Sequence, residues 1–205
     1  EIAAALAGED RLDYINVTAG TSAGLGGSVH IVPPMAIEQA YVAPFAAAIK
    51  ARLNIPVFVA GRINQPQIAE QVLAGGQADM CGMTRAMIAD PQMPMKAEAA
   101  RFDDIRACVA CNQACIDHML RGFPISCIQR PETGRELEFG ERGSAALPRR
   151  IFVAGGGPGG MKAAAVAAER GHEVTLYEAS SSLGGQVKLA QLLPGRSEFG
   201  GIISN

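Results

Sequence analysis

The 205 residues carry 18 Lys and Arg against 20 Asp and Glu, a formal charge of −2, with 48% hydrophobic and only 19% charged side chains. That balance excludes an intrinsically disordered chain, which needs low hydrophobicity and high net charge. It equally excludes a nucleic-acid binder that works through a basic field. No apolar run reaches the roughly 18 residues a membrane-spanning helix needs, and with no Trp and 5% aromatics the chain lacks base-stacking platforms.

Residues 12–17 (LDYINV) are a short apolar run with Tyr, Ile and Val, which reads as a buried strand. A long Gly/Ser/Thr stretch, residues 18–34, follows as a loop and holds His30. Residues 41–53 are Ala-rich at helical spacing. Residues 56–60 (PVFVA) are a second strand that runs directly into Gly61-Arg62-Ile63-Asn64. Pro66 stands where a first-turn proline belongs, so residues 67–73 continue as a helix closed by Gly75-Gly76. Residues 78–83 (ADMCGM) are a third strand and residues 85–89 a short helical turn. Strands alternating with helices at this spacing imply βα units and a parallel sheet, either part of a barrel or an open sheet. In a (β/α)8 barrel the loops at the C-terminal ends of the strands carry the chemistry, and those after strands seven and eight frequently bind a phosphate. The three strands suit that arrangement as the sixth, seventh and eighth.

Composition then changes. Four of the five cysteines read Cys108-x2-Cys111-x3-Cys115-x11-Cys127. Three thiolates from one tight loop and one from further along suit a four-iron cluster. Thiolate is equally acceptable to zinc, but structural zinc sites usually take two separated short pairs. Disulfides are disfavoured because nothing indicates secretion, and the absence of a signal peptide places the expected protein in the cytoplasm. His118 is a conceivable substitute ligand but reads as a helix-surface residue, and Cys81 as a buried apolar one. Residues 129–147, rich in Pro, Gly and mixed charge, read as a linker.

From Arg149 a new pattern begins: strand 151–154, a glycine run, an Ala-rich helix to Arg170 capped by Gly171, and strand 174–177. Residues 155–160 (GGGPGG) contain G-x-G-x-x-G at Gly155, Gly157 and Gly160, between a strand and a helix, the context that gives the motif meaning. Gly155 allows the tight turn, Gly157 lets the backbone approach a pyrophosphate, and Gly160 lets helix and strand pack closely. Glu178 ends the second strand where a carboxylate would take a ribose hydroxyl, which favours FAD or NAD over NADP. Leu183-Gly184-Gly185-Gln186 lies just beyond and suggests a further backbone contact to the same cofactor.

In this order, barrel strands, four cysteines and a dinucleotide turn resemble one family, the iron–sulfur flavoenzyme group of the old yellow enzyme superfamily. Its members include bacterial 2,4-dienoyl-CoA reductase, trimethylamine and histamine dehydrogenases, and related N-demethylases. The stretches that carry the resemblance are PVFVAGRINQPQIAEQVLAGGQADMCGMTRAMIADP, CVACNQACIDHMLRGFPISC and RRIFVAGGGPGGMKAAAVAAERGHEVTLYEASSSLGGQ, nearly the whole chain. The Cys spacing is closer to the dienoyl-CoA reductase branch than to the trimethylamine branch. The resemblance implies an α/β fold in three parts. Residues 1–107 would be the C-terminal part of an FMN-binding TIM (β/α)8 barrel, 108–147 an iron–sulfur segment and linker, and 148–205 the start of a Rossmann-like FAD-binding domain. It implies FMN-phosphate contacts at Arg62, Met83, Thr84 and Arg85. Cluster ligands would be Cys108, Cys111, Cys115 and Cys127, and an FAD site would lie at Gly155, Gly157, Gly160, Glu178, Gly185 and Gln186. Physically, Arg62 and Arg85 could each form charge-assisted hydrogen bonds with phosphate oxygens, against the ordinary alternative of a surface salt bridge.

One feature departs from the reductase branch, which has a catalytic His soon after the strand matching residues 12–17. Here that stretch is Thr18-Ala19-Gly20-Thr21-Ser22, and the first histidine is His30, a candidate substrate-facing group set against the commoner solvated loop His. The departure tilts the reading slightly towards amine or N-methyl substrates, with enoyl-CoA-type reduction and oxidative amine N-demethylation both left open. The resemblance implies an oxidoreductase holding FMN, a [4Fe-4S] cluster and FAD. Electrons would pass between a small-molecule substrate and NAD(P)H or, as in the dehydrogenases, an electron-transfer protein. Nucleic-acid and membrane partners are not expected, and an oligomer is compatible with it. Two rivals stand beside this reading: a zinc-stapled binding module with a nucleotide fold, and a single-flavin enzyme with a structural cluster. The start at Glu1 and the stop after a strand-helix-strand pattern lead us to expect an internal piece of a longer protein, inactive alone.

Overall fold

Two parallel sheets, each covered by helices, make up the molecule. The computed structural model describes residues 1–9, 11–140 and 143–204; residues 141 and 142 of the expected linker lie outside the described residues. After helix α1 (Ile2–Ala7), strand β1 (Ile15–Val17) leads into helix α2 (Leu25–Ile31) and helix α3 (Ala43–Lys50). Strand β2 (Val57–Ala60), helix α4 (Pro66–Ala74), strand β3 (Met80–Gly82), helix α5 (Thr84–Ala89) and helix α6 (Met93–Glu98) follow. The strands lie in the order β1-β2-β3, all parallel, with Ile15 opposite Val57 and Phe58 opposite Met80.

β2 is the central strand, and its alternate residues Val57 and Val59 are fully buried between the sheet and helices α3 and α4. Val42, Ala43, Ala46 and Val72 complete that core. Burying a valine side chain contributes about 1.5–3 kcal/mol, so this cluster fixes the three strands and therefore the direction of the loops that leave them. Pro66 does occupy the first turn of α4, where a missing N–H costs nothing.

Three expectations are corrected. The stretch 18–34 is not a loop throughout, because residues 25–31 form α2. That helix buries no residue and contains Gly26-Gly27, so it shows no apolar periodicity; local bonds, Ser28 N–H to the Gly24 carbonyl and Ser28 Oγ to the Leu25 carbonyl, hold it instead. The first and third strands are shorter than their apolar runs. Ile15 is where the ladder begins, its N–H bonding the Pro56 carbonyl. The stretch 129–147 is not a free linker either. It carries helix α8 (Glu136–Phe139), and Gln129, Glu132 and Thr133 are buried. Thr133 Oγ1 donates to the Ile88 carbonyl at 3.2 Å and Gln129 Nε2 to the Ala107 carbonyl at 2.7 Å, docking the segment on the first sheet's helices.

Helix α7 (Ile116–Leu120) lies within the cysteine segment. The second sheet pairs β4 (Arg150–Ala154) with β5 (Glu173–Tyr177) in parallel, joined by helix α9 (Pro158–Glu169). Along both strands exposure alternates. The inner positions, Ile151, Val153, Val174 and Leu176, are half-buried, while Phe152 and Tyr177 on the other face are 65% and 59% exposed with ring centroids 4.8 Å apart. Short helices α10 (Val187–Ala190) and α11 (Gly201–Ser204) close the described chain, with a 3₁₀ turn at Ser197–Gly200 between them. Among the described residues no helix is long and apolar enough to cross a membrane.

Candidate functional site

Because β1, β2 and β3 are parallel, the segments that follow them emerge along one edge of the sheet. A cavity of about 290 Å³ opens there, lined among others by Thr18, His30, Arg62, Asn64, Thr84 and Arg85. Gly61 is required at the end of β2, since a Cβ there would strike the Val42 side chain. The chain then turns through a left-handed residue, Arg62, at φ +53°, a conformation uncommon without glycine.

Arg62 is the most enclosed charge of the cavity, its side chain 3% exposed. Its Nη2 donates to Glu198 Oε1, while Nε and Nη1 are buried with no partner. Arg85 lines the same cavity. Its Nη1 donates to the Pro33 carbonyl at 2.8 Å and to Asn112 Oδ1 at 2.6 Å, tying the segment after α2 to the cysteine loop. Thr84 opens α5 at the cavity wall, but the Met83 side chain packs among the apolar clusters. His30 does reach the cavity, half-buried, its Nδ1 without a partner and its ring 5.6 Å from that of Tyr41. Tyr41 was not singled out from sequence. Its hydroxyl donates to the His30 carbonyl at 2.8 Å, and burial pushes its pKa up, with the Arg85 charge opposing.

The four expected cysteines come together around one small hollow of about 20 Å³, which Arg85 and Ile88 also line. All are free thiols. Burial first, then the neighbouring Cys127 and Cys111, raise the Cys108 thiol to about 11, against the Ala110 N–H and the Arg85 charge. Burial also pushes Cys111 up. Among the described residues no three His, Cys, Asp or Glu side chains converge closely enough to hold a single metal ion. The loop that presents Cys108 and Cys111 winds through two left-handed residues, Ala110 at φ +47° and Asn112 at φ +57°. Long-range bonds hold it: Asn64 Nδ2 to the Cys108 carbonyl at 2.7 Å, Asn112 Nδ2 to the Val32 carbonyl at 2.7 Å, and Met35 N–H to the Ala110 carbonyl at 3.0 Å. Cys108, Arg85 and Ile88 line both this hollow and the sheet-edge cavity. His118 does not line the hollow; its Nδ1 lies 3.0 Å from the Pro124 carbonyl oxygen. Cys81 sits in β3 against the main core.

The second site is the β4–α9 turn. Gly155 adopts φ +104° and its N–H bonds the Tyr177 carbonyl at 2.7 Å. Gly157 caps α9 and has open space where a side chain would stand. A Cβ at Gly160 would collide with the Gly155 carbonyl, so helix and strand meet as closely as expected. The Gly184 N–H bonds the Gly156 carbonyl at 2.8 Å, and a Cβ at Gly185 would come within 3.1 Å of Gly157 Cα. Residues 184–186 therefore pack onto the turn, with Gln186 capping α10. Glu178 stands at the end of β5 beside the turn. Its carboxylate accepts the Ser180 N–H at 2.8 Å and the Gly156 N–H at 2.7 Å, and these bonds hold its pKa down at about 2.

Residues 28–104 match the NADH:flavin oxidoreductase / NADH oxidase family, and residues 153–200 an NAD(P)-binding Rossmann-like domain. This chain belongs to that flavin oxidoreductase family. Its relatives include the metal reductase of Desulforamulus reducens, 43% identical over 189 residues that make up 92% of this chain and 27% of that protein. The N,N-dimethylglycine/sarcosine dehydrogenase of Chromohalobacter salexigens is 43% identical over 176 residues, 84% of this chain and 25% of that protein. Among solved structures, a 2-naphthoyl-CoA reductase in complex with 2-naphthoyl-CoA superposes with a TM-score of 0.90 at 33% identity, over 99% of this chain and 30% of that one. The chain thus spans less than a third of the length of each of these relatives.

Proposed function

We propose that this chain is the electron-relay section of an oxidoreductase carrying FMN, a [4Fe-4S] cluster and FAD, with the three-part division at residues 107 and 147. The carrying observation is the shared wall: Cys108 and Arg85 line both the sheet-edge cavity and the four-thiol hollow. A relay requires such adjacency, whereas a remote zinc staple would have no use for it.

The residues present fit each group. In the sheet-edge cavity, Arg62 has two buried donors without partners, which suits a phosphate held by charge-assisted bonds. Thr84, Arg85 and the backbone at Met83 would complete that site at the C-terminal end of the strands. Four thiols line the hollow, and soft thiolate donors in that number suit an iron–sulfur cluster. In the turn, Gly155 and Gly157 leave open the approach to the N-terminus of α9, where backbone N–H groups and the helix dipole favour a pyrophosphate. Glu178, Gly185 and Gln186 would flank it. Bound there, the flavins would supply two-electron exchange with substrate and with NAD(P)H, and the cluster single-electron transfer between them.

The chain's own residues then have definite tasks. Arg62 fixes the anion end of the first flavin and holds water out of the β2 turn. Asn64 and Asn112 lock the cysteine loop against the sheet edge. His30, reaching the cavity beside Tyr41, is the candidate substrate-facing group. For substrate, we favour a small N-methylated amine over an enoyl thioester. The 43%-identical relative is named for N,N-dimethylglycine and sarcosine, and residues 18–22 lack the reductase histidine. The electrons would leave to NAD(P)+ or to an electron-transfer protein. The decisive experiment is metal and flavin content per chain in holoprotein purified without oxygen. About four irons, one FMN and one FAD are expected; one zinc and no iron would sink the relay. Anaerobic bleaching of the flavin by sarcosine, with no reoxidation of the dithionite-reduced flavin by an enoyl-CoA, would support the amine reading, and the reverse pattern would overturn it.

A further inference from the structure

We propose that Glu198 is a positioning residue for Arg62, so that the segment following β5 completes the anion cradle at the edge of the first sheet. The proposal rests on the reading that this cavity takes the FMN phosphate. Glu198 lies 136 residues beyond Arg62, yet its Oε1 accepts the only hydrogen bond that the Arg62 side chain makes among the described residues. Both partners are enclosed, with side chains 3% and 24% exposed. A guanidinium buried alone would be strongly destabilising, and Asn64, the other polar side chain on this turn, is committed to Cys108 through its Nδ2. The acid that offsets Arg62 therefore comes from outside the β1–β3 unit.

The contact is not an isolated side-chain reach. Phe199 and Ile202 pack on the buried cluster of Met35, Val109 and Ala110, and a Cβ at Gly195 would lie 3.4 Å from Ala36 Cβ. This apolar seating fixes the backbone on both sides of Glu198 against the rim of the first sheet. Arg62 is left with Nη2 anchored and with Nε and Nη1 available to an anion. An arginine presents a planar fork of five donors, so one anchored nitrogen sets the plane in which the others lie. Glu198 touches neither the Gly155–Gly160 turn nor the cysteines among its recorded bonds, so its effect is confined to the first site.

The test uses the holoprotein and its Glu198→Ala, Glu198→Gln and Glu198→Asp variants, with FMN and FAD counted separately. FMN rebinding to deflavinated protein should weaken roughly tenfold or more in Glu198→Ala, the scale of a lost charged hydrogen bond. FAD content, an internal check on folding, should stay at parent level. Glu198→Asp should recover part of the affinity. Glu198→Gln, which keeps the shape and drops the charge, should raise the midpoint potential of the FMN, because a nearby negative charge that opposes reduction has gone. FMN affinity within twofold of the parent in Glu198→Ala, with an unmoved potential in Glu198→Gln, would overturn the proposal. Tighter FMN binding in Glu198→Ala would also overturn it, making Glu198 a competitor for Arg62. A parent protein that holds FAD but no FMN would instead refute the functional reading on which the proposal stands.

Discussion

Asp90 is the clearest case of a single residue holding local structure. It is buried, and its Oδ2 accepts from Lys96 Nζ at 2.5 Å and from the Arg106 N–H at 3.0 Å, while Oδ1 accepts the Gln92 N–H at 3.1 Å. Burial alone would raise its pKa, but the Lys96 bond and the backbone N–H groups outweigh it, and the net shift is downward. A depressed folded pKa contributes stability that is complete above the unfolded value near 4 and is lost as pH falls through the folded value. Asp90→Ala should cost about 1–3 kcal/mol in urea unfolding, since it removes the acceptor of the Lys96, Gln92 and Arg106 bonds while Lys96 keeps its bond to the Asp104 carbonyl. Adding Lys96→Met should recover only part of the loss, because the two backbone N–H groups stay unpaired. Glu178 makes the same argument on the surface. Its carboxyl should titrate near pH 2 by carbon-detected NMR, keeping the glycine turn bonded throughout the range between about 4 and 2; a titration near 4 would mean that the Gly156 and Ser180 bonds are absent in solution.

At the scale of elements, β2 and the cysteine loop set the geometry. Gly61→Ala should destabilise the protein by about 1–3 kcal/mol through the Val42 contact, read as a lower thermal midpoint. Asn112→Ala removes two side-chain bonds, to Val32 and from Arg85, and puts alanine in a left-handed conformation. It should lower iron per chain while leaving FAD bound. Legibility from sequence followed the range of the interactions. The β4–α9 turn was readable because its determinants lie within about 30 residues: the positive φ of Gly155 and the close approach of Gly160 to the Gly155 carbonyl are both local. β2 and α4 were readable because an apolar run and a first-turn proline are local signals. Helix α2 was not, since it buries no residue and is held by local backbone and Ser28 hydroxyl bonds that a Gly-rich string conceals. The docking of Gln129 and Thr133, and the commitment of Arg85 to Pro33 and Asn112, depend on partners 22 to 52 residues away. Glu198 looks like any surface acid in sequence, and only the folded chain brings it to Arg62.

For the molecule as a whole, the faces of the two sheets are unequal. The helix-covered sides are packed, whereas Phe152 and Tyr177 form an exposed aromatic pair on a two-stranded sheet. A two-stranded sheet with an apolar open face is a template for association. The 205-residue chain expressed by itself should self-associate in sedimentation and bind a hydrophobic dye, and Phe152→Lys with Tyr177→Lys should suppress both.

The seating of Phe199 and Ile202 against Met35, Val109 and Ala110 also has a consequence in time. A ribosome makes the chain from its N-terminus, so the cysteine loop is made well before the segment that packs on this cluster exists. Phe199 follows Cys111 by 88 residues, which at ordinary synthesis rates is a delay of about 4–18 s. During that interval Met35, Val109 and Ala110 lack two of the apolar side chains that pack on them in the finished fold, so a nascent chain stalled before Phe199 should be cleaved by protease near this cluster faster than the finished protein is.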